Sequence, residues 1–541
     1  MRITPMTLTN QSALIDDYRR QSGRIMEHFA YDPYVGTTYH SRVQALQQKS
    51  IDRDHLADAL VTMNKRWDAP EAVYRNIERL KEDHSVVVIG GQQAGLLTGP
   101  MYTINKIISI IQFARKQESE LGIPVVPVFW IAGEDHDFAE INHIYLPEEN
   151  SMTKHKLPQQ VTDKRAVSEI PIDKPAAMQW MNQLFEQLTE TEHTKNIYRT
   201  IQDCLQQSAT YVDFFARVIY QLFDDEDIVL VNSADPGLRA VERDHFIKLI
   251  EKQSEISSGV HTALQVLNQK GYAVSLETSP DEAHLFYHDG HDRILLSRDH
   301  EGNWIGKQHE VLLTNEEMLS IADNHPEKLS NNVVTRPLMQ ECLFPTLAFI
   351  GGPGEVGYWS ALKPAFEAMD MDMPPVLPRL SLTFIDRHVE KTMQKYSINA
   401  EDAVNHGTES RKIQWLASRN DPPVQQVASA VRQAVNQVHK PLRDIARDTR
   451  SDIGELADKN LYYMNEQIAY LENRIIKTME ENNARQLDDF DLIHNAVHPQ
   501  KGLQERVWSP LWWLNEHGTC FIKSIVNHSC RFDVDHHLVY L

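Results

Sequence analysis

Residues 86 to 131 constrain the fold more than any other stretch. Val86-Val87-Val88-Ile89 is a short β-branched apolar run ending on Gly90-Gly91, the pattern of a strand buried on both faces. The loop Gln92-Gln93-Ala94-Gly95-Leu96-Leu97-Thr98-Gly99-Pro100 follows. Beyond it, Ile104, Ile107, Ile108 and Ile111 recur at helical spacing until Leu121-Gly122, and a second apolar run spans Val125 to Ile131. Strand, glycine loop, helix, strand is a βαβ unit, which predicts a parallel sheet with functional loops at the carboxyl ends of its strands. A third strand is expected over Ile228–Asn232, and the sheet should resume at Leu347–Ile350. The fold class is therefore α/β, built on a parallel sheet.

The gaps between these strands are too long for simple crossovers. They predict one insertion over about residues 138–225 and another over about 255–330, the second carrying hairpins with a turn at Tyr287–Asp292. From about 384 the texture changes to long helices. Val424, Val427, Val431, Val435 and Val438 form one stripe, and Leu461, Met464, Ile468, Leu471, Ile475 and Met479 another. Pro441 and Gly454 are expected to break this region into an antiparallel hairpin. Its stripes either pack on their own core or meet a partner subunit. The expected division is a core over 1–383, a helical coiled-coil domain over 384–490 and a segment over 491–541 that packs back on the core.

Charge narrows the partners. The 541 residues include 54 Lys+Arg and 76 Asp+Glu, a net charge of −22. Nucleic-acid binding draws on clustered cations that release counterions, so polynucleotides and anionic membranes are excluded as general partners. No stretch approaches the roughly 18 unbroken apolar residues of a membrane span, and the N-terminus lacks the apolar core of a signal peptide. Four scattered cysteines form no CxxC pair, which argues against a disulfide framework or zinc ribbon. The expected compartment is reducing cytoplasm.

Three elements carry candidate chemistry. In the first loop, Gly91, Gln92, Gln93, Gly95, Thr98 and Gly99 precede a helix whose free N–H groups could receive a phosphate or carboxylate, with Lys106 adding a point charge. The loop matches neither a Walker A motif nor G-x-G-x-x-G, and a structural turn is the competing reading. After the second strand comes Glu134-Asp135-His136-Asp137. His136 could accept a proton from an amine, with Asp135 and Asp137 orienting it or holding Mg²⁺. A metal hydrolase using His136 and His143, or a solvated acidic loop, are the alternatives. The third element runs from Arg336 and Gln340 to Gly352, Gly354, Glu355 and Tyr358, with Arg336 suited to clamp a carboxylate or phosphate. His288 and His291 read as a hairpin tip, His536-His537 as a polar strand end, and Cys342 as inert.

The strings Gly91–Thr103, Pro124–Phe138, Asn332–Pro337, Gly351–Glu355 and Leu503–Arg506 closely resemble the cysteine-adding enzymes of bacillithiol biosynthesis, and the resemblance runs through the whole chain. It implies a ligase that joins L-cysteine to glucosaminyl-malate. It also implies a nucleotidyltransferase-type Rossmann core similar to that of class I aminoacyl-tRNA synthetases, with connecting-peptide insertions, and a coiled coil that forms a homodimer. Those superfamily relatives carry a His-x-Gly-His signature, where this chain has Gln92, Gln93 and Thr98, which supply dipoles instead of charge. ATP or another activating nucleotide, with Mg²⁺, is the expected cosubstrate. No resident metal is expected, and Gln504-Glu505-Arg506 leaves open a second ligand pocket. Two other functions stay open: a metal-dependent hydrolase or deacetylase of a sugar thiol, and a nucleotide-binding assembly protein.

Overall fold

The computed structural model describes residues 1–148 and 151–541. Five parallel strands form the central sheet: β1 (Val86–Gln92), β2 (Val125–Ile131), β3 (Val229–Asn232), β4 (Thr346–Gly351) and β5 (Val376–Pro378), in the spatial order β5-β4-β1-β2-β3. This is a Rossmann-like sheet. Each of the seven residues of β2 is buried, which explains why the sequence reads as a continuous apolar run. Helix α1 (Tyr102–Leu121) packs on the sheet through Ile104, Ile107, Ile108 and Ile111, all fully buried. Each such side chain contributes about 1.5–3 kcal/mol by leaving water, enough to outweigh the modest helix penalty of β-branching. The helix ends on Gly122 in the left-handed region, a conformation that favours glycine.

The chain leaves and rejoins the sheet through two excursions. Between β2 and β3 lie the hairpin His143–Glu148/Ser151–Lys156 and the helices Lys174–Gln187, Thr194–Gln207 and Tyr211–Leu222. Between β3 and β4 come α2 (Pro236–Glu251), the helix Gln253–Gln269 and a five-stranded antiparallel sheet. The last strand of that sheet, Leu329–Asn331, leads into α3 (Thr335–Leu343). The second excursion thereby delivers Arg336 to the carboxyl edge of the central sheet. After β4, α4 (Pro353–Trp359) follows directly.

A third sheet joins the chain ends. Arg2–Met6 pairs antiparallel with His536–Tyr540, which pairs in parallel with Leu382–Ile385. His536 departs from the expected polar strand end. It is fully buried, its two ring nitrogens lie 2.7 and 2.8 Å from the Ser381 and Thr383 hydroxyls, and burial pushes its pKa down to about 4.

Beyond the third sheet stand α5 (Val424–Thr449) and α6 (Ser451–Asn482), followed by α7 (Ala484–Val497), which returns to the body. The hairpin forms, but neither expected breaker makes the turn. Pro441 lies inside α5, and Gly454 lies inside α6. The reversal occurs at Arg450, whose backbone is extended between the two helices. Gly454 instead permits close packing, because a Cβ there would stand 2.7 Å from Arg447 Cγ. Val427, Val431, Val438, Leu442, Leu456, Tyr470 and Leu471 are exposed along this hairpin, so its two helices do not bury each other's apolar stripes completely. Among the described residues no helix is long and apolar enough to cross a membrane.

Candidate active site

The strand order reverses between β1 and β4, and a crevice opens at their carboxyl ends, where open α/β sheets bind ligands. It is a cleft of about 570 Å³, within the usual range for small-molecule sites. Of the candidate residues, Gly91, Gln92, Gln93, Asp135, Arg336, Gln340, Gly352, Gly354, Glu355 and Tyr358 line it. Segments distant in sequence are thus brought together. Trp130, with its indole N–H buried and unpartnered, also lies on the wall.

The acidic motif divides into different roles. Glu134 is fully buried and accepts from Arg239 Nη2 at 2.6 Å, Arg336 Nε at 3.0 Å and the Asn331 N–H at 3.4 Å. Burial opposes its ionisation, but the guanidiniums of Arg239, Arg336 and Arg293 overcome that and hold its pKa at about 2. Arg239, on α2, also binds buried Glu242 at 2.6 Å. Asp135 lies at the cleft, held by Arg336 Nη2 at 2.9 Å and Arg293 Nη1 at 3.5 Å. Arg336 consequently spends two donors on the acidic pair, and the expected anion clamp becomes an orienting group for Asp135.

His136 and Asp137 do not join the cleft. The turn after β2 packs the His136 ring against Phe286, with Nδ1 3.4 Å from Arg293 Nη1. Burial, followed by Arg293, lowers its pKa. Asp137 is exposed and precedes the short helix Phe138–Ile141. Direct roles for these two in the cleft, as expected from the sequence, do not fit this placement. Among the described residues no three His, Cys, Asp or Glu side chains converge as a metal site.

Lys106 requires a second correction. Its ammonium is buried and donates to Gly91 O at 2.6 Å, Gln92 Oε1 at 3.1 Å and the Glu355 carboxylate. All three donors are occupied, leaving no free point charge for a ligand. Burial lowers its pKa, with Glu355 opposing. Glu355 also accepts from the Gly352 N–H at 2.6 Å, so Lys106 and Glu355 tie the end of β1 to the start of α4.

The glycine loop is shaped largely by its own packing. A Cβ on Gly91 would meet Trp130 O at 2.6 Å, and one on Gly95 would meet Gly99 Cα at 2.8 Å. Thr98 is fully buried with positive φ, and its hydroxyl has no partner among the described residues. The Met101 N–H, at the start of α1, is already taken by Trp508 O at 2.9 Å. Thr98 therefore lies off the cleft, while Gly95 and Gly99 border a side chamber of about 210 Å³ that shares Gln92, Gln93, Tyr102, Glu140 and Arg506 with it.

The C-terminal segment supplies what motif reading left open. Glu505 is buried and binds Arg379 through bonds of 2.7 and 2.8 Å, together with Asn105, Ser381 and the Leu382 N–H. Burial opposes its charge, but Arg379 prevails and holds its pKa at about 2. Gln504 is equally buried and bridges Phe384 and Ala496. Both are scaffold. Arg506 is exposed and lines the cleft, the side chamber and a further cavity of about 440 Å³ beside the N-terminal segment. Arg379 and Tyr102 also line the cleft, and sequence reasoning passed over both. A lone arginine or tyrosine carries no spacing signal, although the Gln-Glu-Arg string pointed to Arg506.

A family model described as "Bacillithiol biosynthesis BshC, N-terminal Rossmann-like domain" matches residues 1–380, and one described as "Bacillithiol biosynthesis BshC, C-terminal coiled-coil domain" matches residues 382–541. The chain is 39% identical over 545 residues to a protein of Oceanobacillus iheyensis and 36% identical over 541 residues to one of Bacillus licheniformis, with full coverage of both chains in each case. It is 35% identical to a Bacillus cytotoxicus protein, covering 98% of each chain. All three bear the name "Putative cysteine ligase BshC". A solved chain described as a "putative arginyl t-RNA synthetase" from Campylobacter jejuni aligns over 89% of this chain and 99% of that one. At 9% identity and a TM-score of 0.21, it carries no argument.

Proposed function

The chain belongs to the bacillithiol biosynthesis BshC family, and from that premise we propose that it is a cysteine ligase joining L-cysteine to glucosaminyl-malate to form bacillithiol. The supporting observation is the composition of the cleft. The Asp135 carboxylate, suited to an amine, and the uncommitted Arg506 cation, suited to a carboxylate, line one space at the switch point of the sheet.

Amide formation faces two barriers: a carboxylate is a poor electrophile, and an amine near neutral pH is largely protonated. Asp135 accepts a hydrogen bond from the sugar ammonium and takes its proton, while Arg336 and Arg293 fix its orientation. The freed nitrogen attacks the activated cysteine carbonyl carbon. A C–N bond forms, the C–O bond to the activating group breaks, and that group departs with the electron pair. Asp135 passes that proton to solvent and takes the second proton from the attacking nitrogen as the leaving group departs, so that the product is the neutral amide.

The cleft lining suits an activating nucleotide: Tyr102 and Tyr358 contribute aromatic side chains, Trp130 has an N–H without a partner among the described residues, and Arg506 offers a positive charge. Such a nucleotide, when bound, supplies the phosphoryl or adenylyl group that makes the carboxyl electrophilic, and Gln92, Tyr102, Tyr358 and Arg506 would hold it. Lys106 and Glu355 keep the cleft wall in register.

The exposed stripe on α5 and α6 supports a homodimer through the coiled coil. The enzyme would work in the cytoplasm, where its thiol substrate stays reduced. The decisive experiment incubates the purified protein with cysteine, glucosaminyl-malate and ATP or another nucleoside triphosphate, and follows product and nucleotide by mass spectrometry. Bacillithiol appearing with stoichiometric AMP or ADP is expected. No bacillithiol with any nucleoside triphosphate overturns the proposal. Light scattering that finds a monomer at micromolar concentration overturns the dimer.

A further inference from the structure

Two opposite charges line the 210 Å³ side chamber without being paired. The Arg506 guanidinium has no hydrogen bond or ion pair among the described residues. Glu140 has one partner, the neutral amide of Gln93 at 2.8 Å, and no cation within ion-pair distance among the described residues. Tyr102 lies within electrostatic reach of both. Elsewhere around the cleft, charges are committed: Asp135 to Arg336, Lys106 to Glu355, and Arg379 to Glu505. A solvent-facing cation and anion left uncommitted in one small polar recess are complementary to a zwitterion. The chamber is below the roughly 300–1,000 Å³ typical of drug-sized ligands, whereas the adjoining cleft is of that size.

We infer that this side chamber is the subsite for the free α-amino acid, with Arg506 receiving its carboxylate and Glu140 its ammonium. The inference rests on the ligase reading above and assigns its smaller substrate to a place. Arg506 and Glu140 both line the two cavities, so both charged groups of the amino acid would sit where the chamber opens into the cleft. The side chain would extend toward His143 and Tyr145, where His143 Nδ1 is buried without a partner.

The test compares L-cysteine with cysteamine, which lacks the carboxylate, and 3-mercaptopropionate, which lacks the ammonium. Affinities for the full-length protein are measured by calorimetry under reducing conditions. The unaltered protein should prefer cysteine over each analogue by about tenfold or more, the usual effect of one charge-assisted contact. Arg506→Met should erase the preference over cysteamine and keep that over 3-mercaptopropionate, and Glu140→Gln should do the reverse. Both positions are exposed, so unchanged melting temperatures are expected. The KM for glucosaminyl-malate should move less than twofold in Glu140→Gln. Both preferences surviving in both variants, or cysteine failing to bind the unaltered protein, overturns the assignment. If bacillithiol still forms in that case, the chamber assignment alone has failed. If no bacillithiol forms with any nucleoside triphosphate, the ligase reading has failed with it.

Discussion

Replacing Glu134 with glutamine removes one negative charge from a fully buried site and leaves its shape nearly unchanged. Glutamine can accept through only one atom, while its amide nitrogen must face a guanidinium that also donates. Arg239, Arg336 and Arg293 would lose their shared counter-charge. Breaking a buried ion pair by removing one partner costs about 3–5 kcal/mol. The protonation equilibrium provides a second route to the magnitude. The carboxyl falls from 4.5 to about 2 on folding, and at 1.36 kcal/mol per unit this corresponds to about 3 kcal/mol. With an unfolding entropy of roughly 2.1 cal/mol/K per residue, the body matched over residues 1–380 has about 0.8 kcal/mol/K. Glu134→Gln should therefore melt roughly 4–6 °C below the unaltered protein at pH 7. The pH dependence has a definite sign. A depressed carboxyl pKa stabilises the fold above the unfolded value, and that stabilisation is lost as pH falls toward the folded value. The gap between the two proteins should narrow by about 1 kcal/mol at pH 4 and about 2 kcal/mol at pH 3. Scanning calorimetry across this window measures it. A pH 7 difference below 1 °C, or a gap that stays constant down to pH 3, refutes the view that Glu134 balances the guanidinium cluster.

Asp135→Asn should lower kcat/KM by about a hundredfold or more, whereas His136→Ala should lower it by less than tenfold, since only Asp135 lines the cleft; steady-state kinetics with the reverse ranking would return the base role to the histidine. Lys106→Met leaves Gly91 O without its ammonium donor and Glu355 without its cation, and should destabilise by about 2–3 kcal/mol in denaturant titrations. An unchanged midpoint would show that this link bears no load. Alkylation at pH 8 should reach exposed Cys520 first and spare Cys204 and Cys342, whose thiols burial raises to about 11 and about 12. Peptide mass mapping gives the order, and loss of ligase activity on labelling Cys520 alone would contradict its place outside the cleft lining.

Much of the scaffold was legible because its signals are local. The β-branched runs at Val86 and Val125 announce buried parallel strands, and the isoleucines of α1 repeat at the helical period whatever surrounds them. The turn between the long helices is not legible from Pro441 and Gly454, since both residues lie inside helices. Pro441 can remain within a helix if it forfeits one hydrogen bond, and Gly454 serves a close interhelical contact, so neither residue type alone reveals its use. The edge strand Arg2–Met6 escaped notice because its pairing partner lies at the other end of the chain.

Short-range patterns along the chain specify the Rossmann-like body, the helical hairpin and the segments from which a site is built. Its motifs placed Gly91, Asp135, Arg336 and Glu355 at the ends of the right elements, because strand ends and glycine turns are written in short-range patterns. Tertiary structure decided which charges remain free. Lys106 and Glu505, which look available along the chain, neutralise partners 249 and 126 residues away. Arg336 is turned toward Glu134 and Asp135, and Arg506 is left uncommitted at the junction of three cavities. The energy of a charge depends on its neighbours in space and on its distance from water, and neither quantity is encoded by spacing along the chain.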